Sequence, residues 1–277
     1  MSFNPYVAVV VAATIWGSAG VFIKYLALSA ATITFFRFAV PSAVMLAYFI
    51  FRRSTLPRGD RLIFLGSLAN VLKTFFYFLG FTLASIGNAV VVYFIWPILT
   101  AALGSALLKE RVSGRNTLLF AVAAAGIVLV YLDKEFSFSN RDFAGMAAML
   151  VSALATAVFM VVFKKSTERY SNPELIFHQN IVGAAIFLPF LFIDMPALNI
   201  VRLGTVTFYS LLVGVIGFAL YFPALKKAKV STVSFLAYFE PVSAILFAAI
   251  LLGEGITWNM AAGGLLIIGS AILLKKD

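Results

Sequence analysis

Cysteine is absent from this chain, and histidine occurs once, at His178. The first absence excludes a disulfide framework and any thiolate metal site. The second excludes an H-E-x-x-H metal centre. Charge is scarce as well: 12% of residues are Asp, Glu, Lys or Arg, against 62% hydrophobic, and the mean hydropathy is +1.03. A soluble domain of this size would expose far too much apolar surface at that composition. No G-x-x-x-x-G-K-[ST] phosphate loop is present, so the chain has no visible ATP motor. No span carries paired aspartates suited to an intramembrane protease, and there is no G-x-S-G nucleophile segment. No catalytic group and no cofactor is called for.

What the sequence does hold is apolar runs of membrane length. Ten of them cover 6–25, 32–51, 62–82, 88–108, 116–132, 143–163, 174–193, 204–224, 231–252 and 257–274. A spanning helix needs about 20 mostly apolar residues, and in lipid the backbone must satisfy itself inside helices. The expected fold class is an all-α membrane protein of ten transmembrane helices. The first run starts at Tyr6 without a basic leader or a small-residue cleavage pattern, so it reads as a retained helix rather than a signal peptide.

The net charge of +10 raises the question of nucleic acid, and its distribution answers it. With the amino terminus on side one, that side receives Arg52, Arg53, Arg58, Arg61, Lys109, Arg111, Arg115, Lys164, Lys165, Arg169, Lys226, Lys227, Lys229, Lys275 and Lys276. Side two receives only Lys24, Lys134, Arg141 and Arg202, while Arg37 and Lys73 stay inside spans. This is the positive-inside asymmetry, which predicts that both termini are cytoplasmic. Basic residues at the seams read as topology signals and contacts to anionic membrane lipids, not as a polynucleotide groove.

The second half echoes the first at an offset of 144 residues. Tyr77-Phe78 falls on Tyr221-Phe222, Pro97 on Pro241, Leu107-Leu108 on Leu251-Leu252, and Glu110 on Glu254. The small pair Thr100 and Gly104 falls on Ala244 and Ala248, a spacing that lets helices approach closely. The division expected is 1–137 and 138–277, two five-helix repeats in one intramembrane body. Five is odd, so the copies must cross the membrane in opposite directions. Inverted repeats of this kind build transporters with a site near the midplane.

Several segments carry a family resemblance: Trp16-Gly17-Ser18 with Lys24, Arg37-Phe38, and Pro97 followed by Leu107-Leu108-Lys109-Glu110-Arg111. Their second-half counterparts are Glu240-Pro241, Leu251-Leu252-Gly253-Glu254-Gly255 and Gly269. Over essentially the whole chain this order resembles the drug/metabolite transporter superfamily of EamA type, and within it the YddG-type aromatic amino-acid exporters. The resemblance implies ten helices in a bacterial inner membrane, cytoplasmic termini and export of small metabolites. The repeats are chemically unequal, however: Gly217 stands where Lys73 would, Glu240 where Trp96 would, and Gln179 near the place of Arg37.

Ionisable residues inside spans are functional candidates because their desolvation is costly. Lys73 shares a helical face with Asn70 and Tyr77; this face can recognise a carboxylate, or Lys73 can pair internally with Glu240. Glu240 precedes Pro241, and a proline there breaks the helical ladder at membrane depth. Its carboxylate can receive a proton or a substrate ammonium, or serve a structural pair. Trp96 shares a face with Tyr93 and Thr100 and can stack on an aromatic cargo or cover an organic cation, or pack against lipid or core. Trp16 has the same alternatives. Arg37 lies close enough to a span end to snorkel. His178 is expected at the interface or a cavity edge, Trp258 as an interfacial anchor, and Glu110 and Glu254 as groups that cap or orient tight connections.

The substrate-binding set expected is therefore Asn70, Lys73, Tyr77, Tyr93, Trp96 and Glu240. The function expected is secondary export of small solutes, aromatic or bulky apolar amino acids first. Efflux of hydrophobic organic cations is the alternative, and a channel or membrane receptor the alternative from another class. The sequence assigns no oligomeric state.

Overall fold

The computed structural model describes residues 4–26, 28–133, 138–193 and 195–274, without the side chains of Lys24 and Pro196. Lys134, Lys275, Lys276 and the Lys24 side chain, used above for the charge asymmetry, lie outside the described residues. In chain order the helices are α1 (Pro5–Gly17), α2 (Ala19–Leu26), α3 (Ala30–Phe51), α4 (Arg61–Leu83), α5 (Ile86–Tyr93), α6 (Trp96–Leu108), α7 (Gly114–Val130), α8 (Asn140–Ser166), α9 (Asn172–Phe187), α10 (Ile200–Leu211), α11 (Phe218–Lys227), α12 (Val230–Leu236), α13 (Phe239–Leu252) and α14 (Trp258–Leu273). No strand occurs among the described residues.

Eight helical segments are long and apolar enough to cross a membrane: Pro5–Ile23, Ala30–Phe51, Arg61–Leu83, Ile86–Leu108, Asn140–Ser166, Asn172–Phe192, Ile200–Lys227 and Val230–Leu252. The shorter apolar helices Gly114–Val130 and Trp258–Leu273 bring the total to ten.

Three spans are interrupted near their middles. The α5–α6 span breaks at Phe94 and Ile95, just before Trp96-Pro97, and the α12–α13 span breaks at Ala237 and Tyr238, just before Glu240-Pro241. Each proline sits in the first turn of the second half-helix, where its missing N–H costs nothing. The α1–α2 break at Ser18 has no proline and was not expected from the sequence. There the Ser18 hydroxyl donates back to the Ile15 carbonyl at 2.6 Å and replaces part of the interrupted ladder. A fourth irregularity, a π-helical turn over Leu212–Gly217, joins α10 to α11. Wide turns of this kind free carbonyls for other partners.

Helix ends recur 144 residues apart. α5, α6 and α7 begin at 86, 96 and 114; α12 and α14 begin at 230 and 258, and α13 ends at 252 as α6 ends at 108. Lys109 and Gly253, both in the left-handed region (φ 56° and 68°), terminate α6 and α13. The following amides, Glu110 N–H and Glu254 N–H, donate to Gly104 and Ala248 carbonyls, each at 3.3 Å. Packing recurs too. α1 lies against α11 and α13, as α8 lies against α4 and α6; α3 packs on α9, and α7 on α14. The α7–α14 crossing is close because Gly126 and Gly263 face one another: a Cβ on Gly263 would run into the Gly126 carbonyl oxygen.

Acidic side chains tie the two halves at helix starts. Glu110 accepts the Val230 N–H at 2.8 Å, completing the first turn of α12. Asp142 accepts the Ser85 N–H at 2.8 Å, at the start of α5. Glu110 thus caps as expected, across the halves rather than within its own connection. On the same side, Lys164 donates to the Leu225 and Ala228 carbonyls, each at 2.7 Å, closing the exposed end of α11.

Asp60 caps α4, accepting the Ile63 N–H at 2.9 Å, and pairs with Arg169 at 3.0 Å. Its carboxyl is held below the usual range chiefly by the Ile63 amide, with Arg169 adding to it. The ion pair is largely exposed and contributes little; the cap is worth about 1 kcal/mol. A lowered carboxyl pKa gives stability that is full above the unfolded Asp range and lost as pH falls through the folded value. Asp60→Ala should therefore lower the melting temperature in detergent at neutral pH. The gap to wild type should close as the buffer is taken below the ordinary Asp range; a constant gap would show that ionisation of Asp60 is irrelevant.

Candidate functional site

The helix breaks converge on a central cavity of about 70 Å³. Its lining brings together Lys73 and Tyr77 from α4, Tyr93 from α5, Trp96 from α6 and Glu240 from α13. Trp16, Arg37, Thr156, Met160, Tyr209 and Phe218 complete much of the wall. Five of the six residues expected from the sequence thus share one cavity.

Asn70 is the exception and lies outside this lining. It is fully buried, and its Nδ2 donates to the Gln179 carbonyl on α9 at 2.8 Å. Three residues before Lys73 is about 60° short of a full helical turn, enough to aim Asn70 at the neighbouring α9 while Lys73 faces the cavity. Arg37 departs from the expectation. It does not snorkel. Its side chain is 4% exposed and turns inward, where Nη1 donates to Asn180 Oδ1 at 3.2 Å. Room for it comes from α10–α11: a Cβ on Gly214 would lie 2.7 Å from Arg37 Nη1.

The cavity pairs aromatic walls with separated charges. Lys73 Nζ lies 5.0 Å from the Phe159 ring centroid and 5.6 Å from that of Phe218, and the Arg37 guanidinium lies 5.4 Å from Phe218. Tyr77 and Tyr93 meet edge to face at 4.8 Å. Among the described residues, Lys73 and Glu240 do not reach salt-bridge distance, so the internal pair considered above is not formed. Trp96 is 2% exposed, and its Nε1–H is buried without an acceptor among the described residues. Trp16 instead donates from Nε1 to the Val213 carbonyl at 3.3 Å, a group within the π-helical turn. Gly217, at the position equivalent to Lys73, makes this possible: a Cβ there would sit 2.6 Å from Trp16 Nε1.

A second cavity of about 480 Å³ shares Trp16, Ala19, Tyr77 and Glu240 with the lining of the first. It runs between α2, α4, α5 and α13 to Tyr131, Leu252, Glu254 and Gly255. Those residues lie at the side-two ends of their spans, opposite the Glu110–Val230 tie. The lining thus extends from Trp16 and Glu240 at the centre to those ends. The cavity's volume and largely apolar lining suit a small organic molecule.

His178 lies outside both linings. It is 8% exposed, packs edge to face on Tyr170 at 5.4 Å, and sits beside Gly59. Trp258 is 82% exposed at the start of α14, as an interfacial residue would be. Thr156, Met160, Tyr209 and Phe218 were not singled out from the sequence. Each is an uncharged residue in an apolar span, and only the tertiary packing distinguishes it from its neighbours.

Ten apolar spans, three of them broken near their middles around an aromatic cavity that holds Arg37, Lys73 and Glu240, are the architecture of a multi-pass membrane transporter. The EamA-like transporter family matches the chain twice, over residues 4–132 and 143–275, and the chain belongs to that family. An uncharacterized transporter of Archaeoglobus fulgidus is 26% identical over 98% of this chain and 99% of its own length. The uncharacterized transporter YcxC of Bacillus subtilis is 26% identical over 73% of this chain and 70% of its own. A solved protein structure shares the fold, with a TM-score of 0.83 and 20% identity over 96% of this chain and 94% of that one.

Proposed function

We propose that the protein exports amphipathic aromatic solutes, aromatic amino acids foremost, by alternating access around the central cavity. The carrying observation is that cavity's composition: two cations, one carboxylate and an aromatic wall, with no ion pair between Lys73 and Glu240. A zwitterion with a ring needs a cation for its carboxylate, an anion for its ammonium and apolar contact for the ring. Lys73, Glu240 and the pair Trp16 and Trp96 supply these in one space. The half-helix α13 also brings its positive end to the cavity, a recurrent device in transporters.

The alternating mechanism follows from treating 1–137 and 138–277 as two inverted five-helix repeats. The 144-residue recurrence of helix ends and the reciprocal packing of α1 and α8 support this reading. In it the structure is open to side two and tied at side one by Glu110. The charge asymmetry supports a cytoplasmic location for both termini and for side one, in a bacterial inner membrane. The bound partners are then the small-molecule cargo and membrane lipid.

Reconstitution tests the reading directly. Protein in proteoliposomes loaded with labelled phenylalanine should show saturable exchange, competed by phenylalanine and tryptophan and not by sugars or strongly charged amino acids. Competition by an aromatic cation alone would transfer the assignment to organic-cation efflux, and unitary currents would replace the carrier by a channel. Single cysteines at Asn4→Cys and Leu274→Cys, in a chain with none of its own, should resist an impermeant thiol reagent in intact cells and react in inverted vesicles.

A further inference from the structure

Arg37 is matched to no group of the cargo in the reading above, yet it is the most deeply buried cation of the cavity. Its exposure is 4%, and it forms one hydrogen bond, to the neutral amide of Asn180. A guanidinium carries five N–H donors in a planar fork. No carboxylate lies within salt-bridge distance of it among the described residues. Phe218 offers its ring face to both Arg37 and Lys73, at 5.4 and 5.6 Å, so the two cations flank one aromatic side chain. That contact offsets only part of the cost of desolvating two like charges. Glu240 is the one acidic residue in the lining. The cavity thus holds more positive than negative groups, and Gly214 leaves the space in which the guanidinium sits.

We propose that Arg37 is an anion-recognition residue: the cargo's carboxylate docks against the unused edge of its guanidinium, with Lys73 as the second cation. This rests on the cavity being the transport site and deepens the proposed function. It makes a planar acidic group on the cargo obligatory, and it makes the ammonium, which only Glu240 serves, the less essential end. The two carboxylate oxygens match the two-point geometry of the fork, which an ammonium cannot reproduce.

Purified protein should be titrated, following intrinsic tryptophan fluorescence, with phenylalanine, with 3-phenylpropionate (ring and carboxylate, no ammonium) and with phenylalanine amide (ring and ammonium, no carboxylate). Wild type is expected to bind the first two, and the amide at least tenfold more weakly than phenylalanine. Arg37→Gln should weaken both carboxylates tenfold or more and leave the amide unchanged; Arg37→Lys should recover only part of the loss. Arg37→Lys, which keeps the charge and loses the fork, keeps the proposal testable if Arg37→Gln is poorly folded; Gly214→Ala would crowd Pro41 as well as Nη1 and is no clean substitute. Wild-type carboxylate binding by a well-folded Arg37→Gln or Arg37→Lys protein overturns the proposal, and so does equal weakening of all three probes, which marks a structural role. Arg37-dependent binding of 3-phenylpropionate without binding of phenylalanine upholds the assignment while removing the amino-acid reading. Failure of wild type to bind either carboxylate overturns both.

Discussion

Lys73→Met should lower the transport efficiency for aromatic amino acids by at least tenfold while leaving the helical fold intact. Lys73 Nζ stands between the Phe159 and Phe218 rings and has no acidic partner within salt-bridge reach. Its removal therefore breaks no direct ion pair, the usual source of collapse at a buried pair, and costs Glu240 only a longer-range attraction. Met keeps most of the apolar stem that packs against those rings. A charged hydrogen bond is worth about 1.5–3 kcal/mol, which is roughly ten- to a hundredfold in apparent affinity. The loss should appear for carboxylate-bearing cargo and not for aromatic cations. Trp96→Ala supplies the complementary signature, weakening aromatic cargo more than aliphatic cargo by the stacking contribution of about 0.5–1.5 kcal/mol beyond lost area. Initial-rate uptake into proteoliposomes with matched amounts of inserted protein reads both effects. Wild-type kinetics for every substrate in both variants would remove these residues from the site.

Glu110→Ala should shift the protein toward a state open on side one. Glu110 supplies the carboxylate that receives the Val230 N–H, at 2.8 and 3.1 Å from its two oxygens, and joins the end of α6 to the start of α12 across the halves. Gly104 lets α12 come that close: a Cβ at Gly104 would lie 2.5 Å from Val230 Cγ1. Loss of a charge-assisted bond of about 1.5–3 kcal/mol moves a two-state equilibrium roughly ten- to a hundredfold. Ser231 on α12 is 4% exposed. A Ser231→Cys reporter should label at least tenfold faster from side one when Glu110→Ala is added, with Glu110→Gln in between because its amide oxygen still accepts. Unchanged labelling in a folded, inserted double variant would show that this tie does not hold side one shut.

Most of the spans were legible because a membrane imposes a length on every apolar run, and charge collects in the seams. The mid-span breaks were legible only where a proline marked them, at Pro97 and Pro241. The break at Ser18 depends on a hydroxyl turned back to Ile15, and the π-helical turn on Gly214 and Gly217 yielding to Arg37 and Trp16. Those are tertiary facts that no one-dimensional period carries. Lys73, Tyr77, Tyr93, Trp96 and Glu240 could be picked out because a charge or a large polar aromatic at membrane depth is conspicuous. That Asn70 faces α9 could not be read, since helical spacing fixes angular neighbourhood and not the identity of the element faced. Arg37 was under-read for the opposite reason. Depth along the axis suggested escape to the interface, whereas Asn180 and the bare backbone of Gly214 draw it inward.

The exchanged caps have a consequence for how such a chain is made. Neither α5 nor α12 has a side-chain cap from its own preceding residue, Ser85 or Lys229. The Ser85 amide waits for Asp142, 57 residues further on, and the Val230 amide finds Glu110, 120 residues back. Translation therefore delivers α5 into the bilayer unfinished, and the arrival of α8 completes it. α12 by contrast emerges to an acceptor already in place. Severed between 133 and 138 and produced as two polypeptides, each piece would bear one acid lacking its amide and one amide lacking its acid. The pieces should recover a complete molecule only by recombining one to one, so subunit stoichiometry is written into two hydrogen bonds.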